Sequence, residues 1–505
     1  MADTGMLIVI AVYLFGMIAV GLWFSKKNET VGDFYLGGRK LGPVVTAMSA
    51  EASDMSSYLL MGLPGLAYLS GMAEVGWTAI GLAAGTYLNW LLVAKRLRSY
   101  TEATGSITVP SFFSNRYRDK KRYLQTLAAV WIIVFFVPYT ASGFAACGKL
   151  FNTLFGIEYH VAMVMSAVVI VLYTSLGGFL AASTTDLIQS VIMTIALMAI
   201  LFFAVDTAGG FGAIFNDIDS LKGYLNMTAV HNHTDNTALN YSPLSIISTL
   251  AWGLGYFGMP HILLRFMAAE DNGKLRTSRR IASVWVIISM TMAVFIGVAG
   301  RALSDSSHIV LLDNTAVSET VIIEIARLLS QNGPAAIIIA GLVISGILAS
   351  TMSTSDSQLL AASSSIYSDI MVDVMHKKND DMKSLNSSRL VVLAISVIAT
   401  VLAWDQNSSV FKIVSFAWAG FGASFGSAVL LALFWKRSNR QGCLAGMLTG
   451  GVTVFIWKFL VRPMGGAFDI YELLPAFLLS LVINVIISLV SPKPSEEIIK
   501  EFESL

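Results

Sequence analysis

Long apolar stretches alternate with short polar ones along nearly the whole chain. A helix needs about 20 apolar residues to cross the hydrocarbon of a bilayer. Thirteen stretches meet or approach that length, near 5–24, 43–69, 75–94, 123–149, 159–177, 184–206, 243–266, 282–302, 334–370, 389–404, 409–435, 442–461 and 472–491. The pattern predicts an all-α polytopic membrane protein with thirteen transmembrane helices. Residues 334–370 exceed one crossing, so part of that helix is expected to project beyond the bilayer.

Two stretches are polar or broken where they should be most apolar. Ser49 to Tyr58 carries Glu51, Asp54 and four serines, and Gly62, Pro64 and Gly65 follow closely. A carboxylate at membrane depth costs roughly 2.5–3.5 kcal/mol on insertion scales, so it is seldom idle. Trp252 to His261 holds three glycines and Pro260. Each stretch opens a block of five spans, 43–206 and 243–435. An odd number of spans makes the blocks run in opposite directions. Inverted repeats with the site at two helix breaks are the signature of a transporter. Residues 5–24 then form a peripheral first helix, 442–491 two peripheral C-terminal helices, and 492–505 a cytoplasmic tail, all in one transmembrane domain over 1–505.

Composition agrees. Of 505 residues 55% are hydrophobic and 13% charged, with mean hydropathy +0.70. Soluble chains carry about 25% charged residues. The net charge of +1 gives no reason to expect a nucleic-acid partner. Two cysteines make neither a disulfide framework nor a metal cluster. No basic residue precedes the first apolar run, and Lys26 and Lys27 follow it, so it reads as a retained span rather than a signal peptide.

Basic residues gather in alternate loops, around 26–40, 95–122, 274–280, 377–383 (with Lys377 and Lys378) and 436–440. The positive-inside rule makes those loops cytoplasmic, with the N-terminus outside and the C-terminus inside. The loop near 207–242 contains His231 and His233 and reads as a solvated external loop. Gly253 to Gly258 fits a dinucleotide fingerprint and Gly422 to Gly426 a nucleophile elbow. Both motifs need a strand before a soluble helix, so glycines for close packing or a helix break explain them better.

The chemistry concentrates in the stretches just described and in Ala349 to Gln358. There Ser350, Ser353, Thr354 and Ser357 share one helical face. Neutral oxygens converging in a dry site can replace a small cation's hydration shell, and sodium suits such a set. Asp186 admits two readings: a helix N-cap, or a residue of a second cation site or gate.

Leu36-Gly-Gly-Arg39, Ala52-Ser-Asp54-Met55-Ser56, Met61-Gly-Leu-Pro-Gly65, Gly253 to Gly258 with Pro260-His-Ile-Leu263, Arg265-Phe-Met-Ala268 and Ala417-Trp-Ala-Gly-Phe-Gly422 stand in a telling order. By these pieces the chain resembles the sodium/solute symporter family over nearly its whole length, and within it the members that carry proline. The resemblance implies a LeuT-like ten-helix core of two inverted five-helix repeats, in the plasma membrane, and no enzymatic activity. It implies sodium held by the carbonyls of Ala52, Met55 and Ser350 and the hydroxyls of Ser353 and Thr354. It implies an L-proline pocket of Ser56, Ser57, Tyr139, Trp252, Tyr256 and Pro260. Asp54, Asp186, Asp356 and Ser357 are candidates for coupling or a second cation. Ser57 and Tyr58 stand where proline-carrying members have glycine and tryptophan, so the same carrier for another amino acid, vitamin or carboxylate is the alternative. Glu51 has no role in this reading.

Overall fold

The computed structural model describes residues 2–25, 31–375 and 381–504. Lys26, Lys27, Lys377 and Lys378 lie outside the described residues. Every predicted stretch falls on helix. α1 (Ala2–Ser25) and the short α2 (Val31–Leu36) come first. α3 (Pro43–Ser57), a π-type turn over Tyr58–Gly62 and α4 (Leu63–Ser70) then make one interrupted element. α5 (Met72–Ala103), α6 (Val109–Arg116), α7 (Tyr123–Phe155) and α8 (Tyr159–Thr207) complete the first block. α8 turns at Gly178 (φ 67°, ψ −171°), a conformation open to glycine, and so supplies two legs.

α9 (Phe211–Ile218) and an antiparallel hairpin of β1 (Ala229–Asn232) and β2 (Thr237–Asn240) link the blocks. The second block opens with α10 (Pro243–Leu250), a 3₁₀ turn over Ala251–Gly258 and α11 (Pro260–Ala268), bent by 46° at the break. α12 (Leu275–Asp305), α13 (Thr315–Ser318), α14 (Val321–Leu329), α15 (Pro334–Ser364) and α16 (Asp381–Leu402) follow. α17 (Val410–Phe421) continues through a π-type turn, Gly422–Gly426, into α18 (Ser427–Phe434). α19 (Arg440–Ile456), α20 (Leu473–Val490) and α21 (Glu496–Ser504) end the chain. Among the described residues nine helices are long and apolar enough to cross a membrane, ten if the bent α10–α11 pair counts as one.

The glycines of the second break are there for packing. A Cβ on Gly253 would lie 2.2 Å from Gly81 O, one on Gly255 1.9 Å from Trp418 Nε1, and one on Gly258 2.3 Å from Phe421 O. The backbone at the break is thus pressed against α5 on one side and α17 on the other.

The loop over 207–242 is not simply solvated. Tyr224 OH donates to the carbonyls of Ala67 (2.7 Å) and Tyr68 (3.0 Å), and Met72 N–H donates to Tyr224 O (2.7 Å). The loop therefore seals the α4–α5 junction. His231 is buried, its ring edge-on to Tyr224, while His233 is exposed. Burial of one ring against an aromatic leaves the pair unsuited to share a metal. No group of three or more metal-binding side chains occurs among the described residues.

Candidate functional site

The first break is local and sharp. Ser56 sits at φ 48°, ψ −170°, a left-handed φ that costs a non-glycine residue on the order of 1–3 kcal/mol. Its Oγ accepts from Tyr58 N–H at 3.0 Å, which holds the kink from within. Tyr58 N–H also turns to Met55 O, so the Asp54 carbonyl loses the donor that an unbroken helix would give it. Tyr139 OH from α7 donates to that carbonyl instead, at 3.2 Å.

One turn earlier, α15 meets the same seam. Ser353 Oγ donates to Ala52 O (2.8 Å) and Ser350 O (3.1 Å), and Thr354 Oγ1 lies 3.4 Å from Ala52 O. Two carbonyls and two hydroxyls therefore converge, all on residues at most 2% exposed. No formal charge and no bulky group stands in these contacts. A hydroxyl that rotates its proton away presents a lone pair, so the set can turn from mutual hydrogen bonding to cation ligation. The Met55 carbonyl, the fifth candidate, is engaged by Tyr58 N–H. The Ser350 hydroxyl donates to Ile347 O within its own helix (2.8 Å).

Beside this set lies a cavity lined by Asp54, Met55, Tyr58, Leu82, Tyr139, Trp252, Met290, Val414 and Trp418. Its volume is about 10 Å³ for the centre of a water-sized sphere, room for about one water. Tyr58 stacks between Trp252 (5.6 Å, 28°) and Phe411 (5.7 Å, 29°), and Trp252 stacks on Tyr471 (4.9 Å). Trp418 Nε1 donates to Trp252 O (2.8 Å). Of the six solute candidates, Tyr139 and Trp252 line this cavity. Tyr256 OH donates to Asp54 Oδ2 (2.6 Å), Ser57 Oγ is buried without a partner, and Pro260 starts α11. Tyr58 and Trp418 belong to motifs that were legible in the sequence. Leu82, Met290 and Val414 are ordinary apolar residues there, with nothing to single them out.

Near Phe411, Lys149 Nζ bonds Glu319 Oε2 (2.9 Å) and Ser408 O (2.6 Å). Glu319 also accepts from Ser409 Oγ and the N–H groups of Val410 and Phe411 at the start of α17. This buried pair ties α7, α17 and the segment before α14. Glu51, unexplained in the sequence, accepts from Trp90 Nε1 of α5 (3.0 Å) with Oε1, and its Oε2 has no partner.

A second constellation lies one turn along the same α3–α15 seam. Asp186 Oδ2 accepts from Ser49 Oγ (2.6 Å) and Arg265 (3.1 Å). Arg265 also reaches Ser49 Oγ (3.0 Å), Ser357 Oγ (2.5 Å) and His261 O (3.1 Å), with its plane over Phe179 (4.9 Å). Asp356 Oδ1 accepts from Ser357 Oγ (3.1 Å); Asp356 Oδ2 and Asp186 Oδ1 have no partner. The helix-cap reading of Asp186 does not hold. The break lies at Gly178, so Asp186 is about two turns into the second leg, fully buried and ion-paired. Arg265 stood in a sequence motif without a role; its partner, 79 residues away, could not be read locally.

Comparison with known proteins identifies the family and the fold. The chain is 42% identical over 502 residues to a sodium/proline symporter of Haemophilus influenzae, covering 98% of this chain and 97% of that one. It is 42% identical over 487 residues to a high-affinity proline transporter of Bacillus subtilis (96% and 98% covered) and 41% identical over 503 residues to a sodium/proline symporter of Escherichia coli (99% and 96%). Among solved structures, a sodium-coupled sialic acid symporter aligns at TM-score 0.78 and 18% identity, covering 97% of this chain and 99% of that one. A nucleobase–cation symporter aligns at TM-score 0.54 and 13% identity (94% and 98% covered). These structural neighbours share the overall fold of this chain. The model of the sodium:solute symporter family matches residues 34–450, and with relatives aligned from end to end the chain belongs to that family.

Proposed function

We propose that this protein imports L-proline coupled to sodium by alternating access. The carrying observation is the meeting of Ala52 O, Ser350 O, Ser353 Oγ and Thr354 Oγ1 at a helix break whose next turn lines an aromatic cavity. Sodium binds these oxygens and fastens α3 to α15. Asp54 acts through its field and through Tyr256. The neighbouring Tyr139, Trp252, Tyr58 and Trp418 then enclose the solute. A pyrrolidine ring suits aromatic faces, and its secondary ammonium can lie over a π-cloud. Ser56 and Ser57 at the break, with Tyr256 and Pro260 at the second break, come within reach of the solute as the cavity opens.

One ion drives this adequately. A charge crossing about 100 mV supplies roughly 2.3 kcal/mol. A tenfold sodium gradient adds about 1.4 kcal/mol, and the sum of about 3.7 kcal/mol sustains roughly 500-fold accumulation. Residues 43–206 and 243–435 are the inverted repeats. The basic loops set the N-terminus outside and α21 in the cytoplasm. The protein is read as a carrier, not an enzyme, of the cell membrane.

Uptake of labelled L-proline by proteoliposomes, with and without an inward sodium gradient, tests this reading. Sodium-dependent, concentrative uptake is expected. Sodium-driven uptake of another small solute but not of proline would move the assignment to that solute.

A further inference from the structure

At the end of the molecule where α6 and α18 finish, the last helix is docked. α21 carries Glu496, Glu497, Glu501 and Glu503 against the single cation Lys500. Arg118 pairs with Glu497 and, at 3.3 Å, with Glu501; Lys436 pairs with Glu503 at 3.0 Å. Phe502 lies over the guanidinium of Arg116 (4.9 Å), whose other neighbours are Tyr100 (5.6 Å) and Tyr117 (5.0 Å). Arg116 is 1% exposed, donates Nε–H to Ala432 O at the end of α18 (2.9 Å), and has no hydrogen-bond partner for its two terminal nitrogens. Ile498 and Ile499 on the same helix as Phe502 are half-buried. The root of the tail is fixed too, since Asn439 Nδ2 donates to Ser491 Oγ and Pro492 O, both at 2.9 Å.

The tail thus bridges the α6–α7 turn, in the first repeat, and the α18–α19 turn, at the end of the second. Any conformation that separates those turns must first release it. Its ion pairs lie at the surface, all groups exposed but half-buried Glu501, so salt screens them more than the buried contacts near the solute cavity. We propose that α21 is a built-in brake, an acidic strap on a basic, aromatic-rimmed surface, released by rising ionic strength on its own side of the membrane. The uptake readout rests on the proline-carrier reading above; the distance readout below does not.

Right-side-out membrane vesicles loaded with choline chloride, at about 50 or about 300 mM and matched in osmolarity, change screening on the tail side. At low salt a chain ending at Pro492, and a Glu497→Lys, Glu501→Lys, Glu503→Lys variant, are expected to take up solute at least about threefold faster than the native protein. At high salt the three converge. Arg118→Glu combined with Glu497→Arg and Glu501→Arg should restore slow uptake at low salt, which a merely structural tail would not do. Spin labels on cysteines at the exposed positions 120 and 500 read docking directly, since Cys147 and Cys443 are buried. The label distance should grow as salt rises. An unchanging distance, or a truncated chain that tracks the native one at every salt, overturns the brake. Release that follows anionic lipid content rather than salt also overturns it, in favour of a lipid-headgroup site. Salt-dependent release without proline uptake in any variant leaves the brake standing and sinks the solute.

Discussion

Two polar constellations sit one turn apart on the same pair of helices and solve opposite problems. Ser49 and Ala52 are on α3, Ser357 and Ser353 on α15. At the Ala52–Ser353 end every group is neutral, and the oxygens bond one another. At the Ser49–Ser357 end a full guanidinium from α11 is already in place against Asp186. On the sodium-site reading proposed above, the first end binds a small cation and gives it back. The second holds its cation covalently and cannot. On that reading the chain combines both kinds: an exchangeable ion for coupling, and a fixed guanidinium that keeps buried Asp186 tolerable. Asp186 Oδ1 and Asp356 Oδ2 are left without hydrogen-bond partners at this second end.

The harshest way to break the contrast is to remove the tethered cation. Arg265→Met leaves Asp186 buried and uncompensated, at a cost of about 3–5 kcal/mol. A large fall in the thermal unfolding midpoint in detergent is expected. Arg265→Met with Asp186→Asn should recover much of it, because the uncompensated charge is gone. A double variant no more stable than the single one would mean that Arg265 does not act by neutralising Asp186.

The exchangeable end comes next. Ser353→Ala with Thr354→Ala removes two of four oxygens and should raise the sodium needed for half-maximal uptake at least about tenfold, or about 1.4 kcal/mol. Solute affinity at saturating sodium should stay within about twofold. Equal loss at every sodium concentration would make the pair a structural contact rather than a cation site. A smaller effect is expected of Tyr256→Phe, which removes the donor to Asp54 Oδ2. Hydrogen bonds to charged groups contribute about 1.5–3 kcal/mol, and water can replace part of that, so roughly three- to tenfold in sodium affinity is expected. Sodium titration of uptake measures it. No change would detach Asp54 from the ion.

The contrast also explains what the sequence revealed and what it hid. The spans, both breaks and the serine row of α15 were legible because each is a local pattern: length, a Gly and Pro cluster, a helical spacing. Of the neutral set, local spacing marked only the Ser350, Ser353, Thr354 and Ser357 row; the carbonyls of Ala52, Met55 and Ser350 were implied by family resemblance alone. Of the charged site, Asp186, Asp356 and Ser357 stood as candidates but the Arg265 partner did not, because Asp186 and Arg265 come together only in the packed fold, 79 residues apart. The turn in α8 falls at Gly178, at the start of the gap between the spans expected at 159–177 and 184–206, and this leaves Asp186 inside the second leg rather than at its cap. Glu51 remained unexplained because its donor, Trp90, faces it from α5. Lys149 and Glu319 meet across 170 residues, and neither position announces the other.

The smallest expected effect tests the comparison most finely. Ser350 differs from its neighbours in the row. Its carbonyl takes the Ser353 hydroxyl, while its own hydroxyl turns back to Ile347 O. A backbone oxygen survives substitution, and a hydroxyl bonded to its own helix adds little there. Ser350→Ala should therefore shift half-saturating sodium by no more than about twofold, within the usual ±0.5 kcal/mol of a substitution that touches no key contact. Sodium titration of uptake, beside Ser353→Ala, supplies the check. A shift as large as that of Ser353→Ala would make the Ser350 hydroxyl a ligand in the loaded state, swung from Ile347 to the ion. The site would then owe its selectivity to three rotating hydroxyls rather than to a backbone frame with two.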